Sequence, residues 1–378
     1  MFFVVFGMVE TSIAVLEGDG IGPEIMNEAL KSLDAVEKRF GHRFHRTTMP
    51  FGGSAYISEG NSYPDRTREF CMSVNSVLKG PLGFSLEEMA KVPPDMILER
   101  TALLPNRKDM GVYACYRPGI LPKEFAFFSP LKESVIGEGI DILMIREMLG
   151  GNYFGDKIDG EENGMQFAVD VGRYDREQVE RIARVAFNEA RERGCQLTNV
   201  NKPNVMATGR FWNAIVDEIA GGYTDVKLTH VIVDNMAAQL VMRPTSYNGV
   251  VLLENMQGDI LTDELGGVMG SLGLTYSAIL NPETGKGIYE PAHGSAPDIA
   301  GRGIANPYSM IGSMALMLEH GFGLNKEAEA VWKGLKNVFG RGYLTSDLAG
   351  NSPTPIPPEK IVTSSRFGDM VRDSILAT

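Results

Sequence analysis

An α/β fold spread over two domains is what this sequence predicts, and three observations carry the prediction. Short apolar, strand-like runs alternate with longer stretches of helical periodicity, the pattern of largely parallel sheets covered by helices. The chain has 378 residues, long for a single core and ordinary for two domains. Apolar residues make up 43% and charged residues 22%, a globular balance with ample material to bury.

The opening MFFVVFGM is apolar but has neither a basic start nor a small-residue cleavage site, which argues against a secretory leader. Met8 is an equally good start, because MVETS leads straight into the first strand. The seven residues ahead of it are expected to be disordered or an artefact of gene calling. Ser12 to Leu16 reads as the first strand, followed by the glycine-rich turn GDGIGPE and a helix through Glu37. His42 and His45 alternate on a probable strand and read as ordinary surface residues. Gly139 to Ile145 is a second clear strand. The 150–170 segment, beginning GGNYFGDKIDGEENG, is rich in glycine and charge and is expected to form an exposed arm. From Arg173 to Arg193 the apolar positions Val179, Ile182, Ala183, Ala186 and Ala190 fall on one helical face. Cys195–Val200, Leu228–Val233 and Val250–Leu253 are short runs bounded by turn residues. NSPTPIPPEK is a proline-rich loop before a last short helix. The chain has no internal repeat and no low-complexity tract.

The net charge of −12 excludes a nucleic-acid stripe, which needs clustered Lys and Arg, but leaves room for an anionic small substrate held by a few arginines. Cys71, Cys115 and Cys195 are odd in number, far apart and form no C-x-x-C, which fits a reducing compartment and a cytoplasmic protein. No apolar run approaches the length of a membrane span.

Chemistry gathers at the strand ends. GIDILMI runs into Arg146, QLTNV into Asn201–Lys202, and HVIV into Asp234–Asn235, and in open α/β sheets the carboxyl ends of strands form the ligand crevice. The stretch ENMQGDILTDELGG places Asp259 and Asp263 four residues apart, on one face if the stretch is helical. Two carboxylates so close repel unless a cation lies between them, and hard oxygen donors select Mg²⁺ or Mn²⁺. A solvated acidic face is the plain alternative; the surrounding glycines and the apolar Ile260 and Leu261 suggest instead a helix start near a core. Arg107 and Arg117, in ALLPNRKDMGVYACYRP, join Arg146 as planar forks suited to a dicarboxylic acid, although arginine on a loop is usually just solvated. HGSAPDIAGRGIANP, residues 293–307, is dense in small residues that let backbone approach a phosphate, with an Asp to accept from a ribose diol. GDGIGP fails as a dinucleotide fingerprint because Pro23 stands at its last position, so it is not the Rossmann turn. TGKG at 284–287 lacks the upstream Gly and the Ser or Thr of a P-loop, and no H-E-x-x-H or G-x-S-x-G occurs.

GDGIGPE, REMLGGNYFG, NKPNV, VDN, GDILTD and HGSAPDIAGRGIANP occur in the order seen in the metal-dependent β-decarboxylating dehydrogenases. In combination these motifs are highly specific. The sequence thus resembles the isocitrate and 3-isopropylmalate dehydrogenases, with homoisocitrate, tartrate and D-malate relatives, from about Ser12 to Ala315 and more loosely beyond. The resemblance implies two open twisted-sheet domains, not of the Rossmann type, with an active-site cleft between them. Residues 1–112 and 270–378 would bind the cofactor, and an inserted 113–269 would carry substrate, metal and the dimer interface. It implies that Arg107, Arg117 and Arg146 clamp the substrate carboxylates. Asp259 and Asp263, with Asp234 of a neighbouring subunit, would hold Mg²⁺ or Mn²⁺, so the site is shared in a homodimer. Lys202, also from the neighbour, would help remove the hydroxyl proton, and Tyr153 would protonate the enolate left by CO₂ departure. His293, Gly294, Ser295 and Ala296 resemble the adenosine and phosphate loop, with Asn306 near the adenine and Ile21 and Thr101 near the nicotinamide. Asp298–Ile299 stands where NADP-using relatives have Lys–Tyr, which implies NAD.

REMLGGNYFG follows the isopropylmalate pattern more closely than the isocitrate one, and Leu103 is suitably apolar for an isopropyl group, so 3-isopropylmalate and leucine biosynthesis are the expected substrate and pathway. The pattern departs at Arg100, where isopropylmalate enzymes usually have Glu unless Glu99 takes that role. It departs also at Pro105–Asn106 and at Leu149, which replaces a usual Thr. These departures keep D-malate, tartrate, homoisocitrate and isocitrate as alternatives within the same chemistry. A catalytically silent regulatory paralogue is the alternative of another class; loss of Tyr153, Lys202 or an Asp ligand would favour it, and all are present.

Overall fold

The computed structural model describes residues 3–5, 7–350, 352 and 354–377. They form two compact units, one built from residues up to 112 and from 271 on, the other from residues 113–270. In the first unit, β1 (Phe3–Val5) runs antiparallel to the start of β2 (Met8–Leu16), with Val4 opposite Val9. The stretch expected to be disordered or artefactual therefore contains a strand, turned back at Gly7, whose φ is 84°. Met1, Phe2 and Phe6 lie outside the described residues. β2 is wholly buried from Ile13 to Leu16, and β3 (Arg43–Thr48) and β4 (Ser76–Lys79) pair with it in parallel.

The helix after the glycine turn runs Gly22–Phe40, three residues past the expected end. Pro23 suits its first turn, where a missing N–H costs nothing, and Gly41 in the left-handed conformation stops it. His42 is not a surface residue: it is buried, its Nδ1 accepts from the Val9 amide at 3.1 Å, and its Nε2 lies 3.0 Å from Glu327. His45 is exposed beside Glu10, as expected of a surface residue.

The second unit carries β5 (Ala114–Pro122), β6 (Gly139–Glu147), the hairpin β7 (Lys157–Glu162) and β8 (Met165–Asp170), then β9 (Leu197–Asn201), β10 (Leu228–Ile232) and β11 (Gly249–Leu253). Its sheet has the order β5-β6-β11-β9-β10, parallel except for β5 against β6. β9 and β11 are buried along their whole length, so they read as short continuous runs rather than as alternating patterns. Helix Arg176–Glu192 covers the sheet with Val179, Ile182, Ala183, Ala186 and Ala190 inward, joined by Val185 and Phe187. Asp175 and Gln178 form a reciprocal capping box at its start, which stabilises it by about 1 kcal/mol. The β7–β8 hairpin is exposed throughout apart from the half-buried Gly160.

The chain then returns to the first unit with β12 (Tyr276–Asn281) and β13 (Lys286–Pro291), a hairpin whose second strand lies parallel to β4. The last helix, Ser364–Ala377, has 14 residues and is not short. Cys71, Cys115 and Cys195 are all free. Among the described residues no helix is long and apolar enough to cross a membrane.

Candidate active site

In the second unit, five of the expected site residues meet around helix Asn255–Val268. Glu254 caps this helix by accepting from the Gln257 amide, and Asp259 and Asp263 project from successive turns. Arg146, near the end of β6 and 1% exposed, ion-pairs with Asp259 and donates through Nη2 to Asn255 Oδ1 at 2.8 Å. Tyr153, in the single turn Gly151–Phe154, donates its hydroxyl to Asp259 Oδ2 at 2.9 Å. Arg117, on β5, donates through Nη1 to Thr262 Oγ1 at 2.7 Å and to Asp263 Oδ1 at 3.2 Å. Leu261 is buried as expected, but Ile260 is 62% exposed, so the apolar pair does not mark one inward face.

The electrostatics follow from this geometry. Burial opposes the charge on Asp259, but Arg146, Arg117 and the Tyr153 hydroxyl outweigh it and hold the carboxyl below its usual range. At Asp263 burial is the largest effect; Arg117 opposes it, the like charge of Asp259 reinforces it, and the carboxyl is pushed up. Burial, with the neighbouring Asp259, pushes the Tyr153 hydroxyl up to about 12, so it is a protonated donor at neutral pH. Lys202, just after β9, and Asp234, in the first turn of helix Val233–Met242, pair with each other. The Lys202 hydrogen bond is the main cause that holds Asp234 below its usual range.

Among the described residues no group of three or more Asp, Glu, His or Cys side chains is arranged to hold a metal ion. One chain thus brings together two of the three expected carboxylates. These are hard oxygen donors one helical turn apart, and that donor chemistry fits Mg²⁺ or Mn²⁺ once a further ligand arrives.

Arg107 belongs to the other unit and is not a solvated loop arginine. It lies on helix Leu104–Met110, buried, and donates through Nη2 to Glu290 Oε1 at 2.7 Å. Lys79 takes the other oxygen of Glu290 at 2.6 Å. Burial opposes the Glu290 charge, but the two cations overcome it and hold the carboxyl down to about 2. Glu99, Arg100, Thr101 and Leu103 share the π-helical turn Glu99–Leu103, a geometry frequent at functional sites. Glu99, Arg100 and Thr101 are exposed, Leu103 is half-buried, and Thr101 Oγ1 accepts from Ser62 Oγ at 2.8 Å.

In the same unit the 293–296 loop packs on the glycine turn. Ile21, buried at the start of helix Gly22–Phe40, donates its amide to the Ser295 carbonyl at 2.8 Å. A Cβ on Gly20 would sit 2.0 Å from that carbonyl oxygen, which explains the glycine. Ala296 adopts φ 38°, and His293 Nε2 lies 2.7 Å from Ser309 Oγ. Burial lowers the His293 pKa and so favours its neutral form. Nothing stands within 4 Å of where a Gly294 Cβ would be, and Asp298 is exposed. Asn306 is buried; its Oδ1 accepts from the Tyr308 amide at 3.0 Å, while its Nδ2 has no hydrogen-bond partner among the described residues. An unpaired buried amide and, in the same unit, an open glycine loop fit a nucleotide cofactor.

Glu147, Tyr174, Glu254, Asn255 and Thr262 at the first cluster, and Glu290 and Lys79 around Arg107, were not legible as site residues. Glu254–Asn255 at the mouth of GDILTD was the one available signal.

A sequence model of the isocitrate/isopropylmalate dehydrogenase family matches residues 12–371, including the tail where the resemblance looked looser. The chain belongs to that family. It is therefore an enzyme, an oxidoreductase of the dehydrogenase class. Among family members, the 3-isopropylmalate dehydrogenase of Thermotoga maritima is 42% identical over 95% of this chain and 97% of its own length. That of Geobacter metallireducens is 43% identical over the same shares. Among solved structures, isocitrate dehydrogenase from Methylococcus capsulatus superposes with a TM-score of 0.83 at 29% identity, covering 97% of this chain and 99% of that one. A β-decarboxylating dehydrogenase from Thermococcus kodakarensis gives 0.75 at 33% identity, covering 97% and 96%. The fold is the α/β fold of this dehydrogenase family.

Proposed function

We propose that the protein oxidises and decarboxylates 3-isopropylmalate with NAD and Mg²⁺ or Mn²⁺, in leucine biosynthesis, as a cytoplasmic homodimer whose chains share each site. The observation that carries this reading is the meeting of Arg117, Arg146 and Tyr153 on the Asp259–Asp263 helix. Relatives named 3-isopropylmalate dehydrogenase, 42–43% identical over nearly the full chain, support the substrate.

Asp259 and Asp263, with the partner's Asp234, would hold the metal, and His293–Ala296, Asn306, Asp298, Ile21 and Thr101 would hold NAD. When bound, the metal supplies Lewis-acid stabilisation of charge on the substrate oxygens, and NAD accepts the hydride. Arg117 and Arg146, with Arg107, bind and orient the two carboxylates of the substrate, and Leu103 contacts its isopropyl group. The partner's Lys202 removes the hydroxyl proton. Tyr153, protonated at neutral pH, returns a proton to the carbon that loses CO₂. Asp298 accepts from the ribose hydroxyls and repels a 2′-phosphate, which favours NAD over NADP.

The exposure of Arg100 in the Glu99–Leu103 turn favours one second reading, a substrate with a third carboxylate such as homoisocitrate. NADH formation with Mn²⁺ present, across 3-isopropylmalate, D-malate, tartrate, isocitrate and homoisocitrate, tests both. Turnover chiefly of 3-isopropylmalate upholds the first, and turnover chiefly of homoisocitrate replaces it with the second. No turnover of any acid removes both.

A further inference from the structure

Among the described residues Tyr174 makes no hydrogen bond to a proposed substrate or metal group, yet it joins the two elements that have to meet at Tyr153 and Asp259. It stands in the loop before helix Arg176–Glu192, its ring edge-on to Trp212 with centroids 5.2 Å apart. Its hydroxyl donates to Glu254 Oε2 at 2.9 Å and accepts from the Asn255 amide at 2.9 Å. Both contacts fall at the start of the helix that carries Asp259. The ring also covers Gly150 and Gly151, where the turn bearing Tyr153 begins. A Cβ on Gly150 would lie 2.5 Å from Tyr174 Cε1, and one on Gly151 would lie 2.4 Å from the Tyr174 hydroxyl. Gly151 has φ 70°, and its amide donates to the Arg173 carbonyl at 3.0 Å. Asn255 closes the network, donating through Nδ2 to the Gly150 carbonyl at 3.0 Å and accepting from Arg146.

Two elements distant in sequence, the Gly150–Phe154 turn and the head of helix Asn255–Val268, are thus fastened at a common base below the Tyr153–Asp259 hydrogen bond. We propose that Tyr174 is a positioning residue that sets the Tyr153 hydroxyl against the Asp259 carboxylate, by locking the glycine turn onto the head of the Asp259 helix. The proposal rests on the reading of Tyr153 as the acid of the reaction. Burial, with the charges of Glu254 and Glu147, raises the Tyr174 pKa well beyond its ordinary value, so the hydroxyl remains a donor throughout the working range.

The test is Tyr174→Phe, which keeps the ring over the glycines and removes only the hydroxyl. With 3-isopropylmalate, NAD and saturating Mn²⁺, kcat should fall on the order of tenfold or more while KM stays within about threefold, since misplacement of a reacting group acts on the chemical step. A second measurement needs no turnover. In protein labelled with 3-fluorotyrosine, the Tyr153 resonance is assigned as the one missing from Tyr153→Phe. That resonance should shift or broaden in Tyr174→Phe, in the resting protein. An unmoved Tyr153 resonance overturns the proposal, including where kcat falls alongside a lower melting temperature, because the loss is then general destabilisation. An unmoved kcat in an active enzyme overturns it as well. Inactivity of the unmodified protein toward every acid removes the proposed function instead, and the fluorine spectrum still decides whether Tyr174 places Tyr153.

Discussion

The Tyr153 hydroxyl and the Asp259 carboxylate form a 2.9 Å hydrogen bond, with Tyr153 donating to one oxygen while Arg146 ion-pairs with the other. The carboxylate therefore fixes both the hydroxyl proposed as the acid and the guanidinium proposed to bind the substrate. Tyr153→Phe removes the proton and leaves the ring and the Arg146 pair in place. We expect kcat to fall about a hundredfold with KM changed less than about threefold, as for loss of a general acid. Steady-state NADH formation measures both, and an unaltered kcat removes Tyr153 from the mechanism.

Asp263 is held less firmly than Asp259. Its 3.2 Å contact with Arg117 and the charge of Arg146 do not outweigh burial and the charge of its neighbour. Asp263→Asn should raise the Mn²⁺ concentration for half-saturation by about tenfold or more, the range for disturbed metal surroundings. Free Mn²⁺ followed by electron paramagnetic resonance gives this directly. A titration that superimposes on that of the parent protein would remove Asp263 from the ligand set.

Glu147, buried one residue after Arg146, is pushed by burial from its ordinary 4.5 up to about 7, despite amide hydrogen bonds from Leu149 and Gly150 and the nearby Arg181. Between those two values the folded protein keeps a proton that the unfolded chain has released. Its contribution is then complete below pH 4.5 and is lost as pH rises through about 7. Glu147→Gln, neutral in both states, should flatten that decline. Urea unfolding at several pH values measures it, and equal slopes in the two proteins would show that the decline has another source.

Asp298 is exposed beside the loop assigned to the cofactor, where a carboxylate faces a ribose well and a phosphate badly. The double variant Asp298→Lys with Ile299→Tyr should lower the preference for NAD over NADP by about a hundredfold, since facing like charges cost several kcal/mol. The ratio of kcat/KM for the two cofactors decides it, and a ratio that does not move would place the ribose elsewhere.

The α/β fold and the strands that carry the candidate site residues were legible because buried parallel strands leave short apolar runs and helices leave a 3.6-residue stripe. The spacing of Asp259 and Asp263 survived for the same reason, since helix periodicity is local. What could not be read depends on chain segments far apart. Tyr174 meets Glu254 across 80 residues, and no local pattern marks Tyr174. His42 is buried and its Nε2 donates to the carboxylate of Glu327, 285 residues away; alternation with His45 could not show that. Arg107 looked solvated because the carboxylate that buries it, Glu290, lies on β13. Ile260 failed differently: an apolar residue beside a buried leucine need not point the same way.

The first unit is written in two instalments. β13 lies in parallel register with β4, Gly287 opposite Ser76, so the strands on either side of that seam leave the ribosome with the whole second unit between them. Loop closure over such a length grows by only about 0.6 kcal/mol per doubling, so the arrangement is thermodynamically tolerable. Its burden is temporal. The second unit is continuous in sequence and can close during translation, while β4 waits with one ladder edge unpaired until β13 is synthesised. A nascent chain stalled before residue 286 would hold that edge open to other strands.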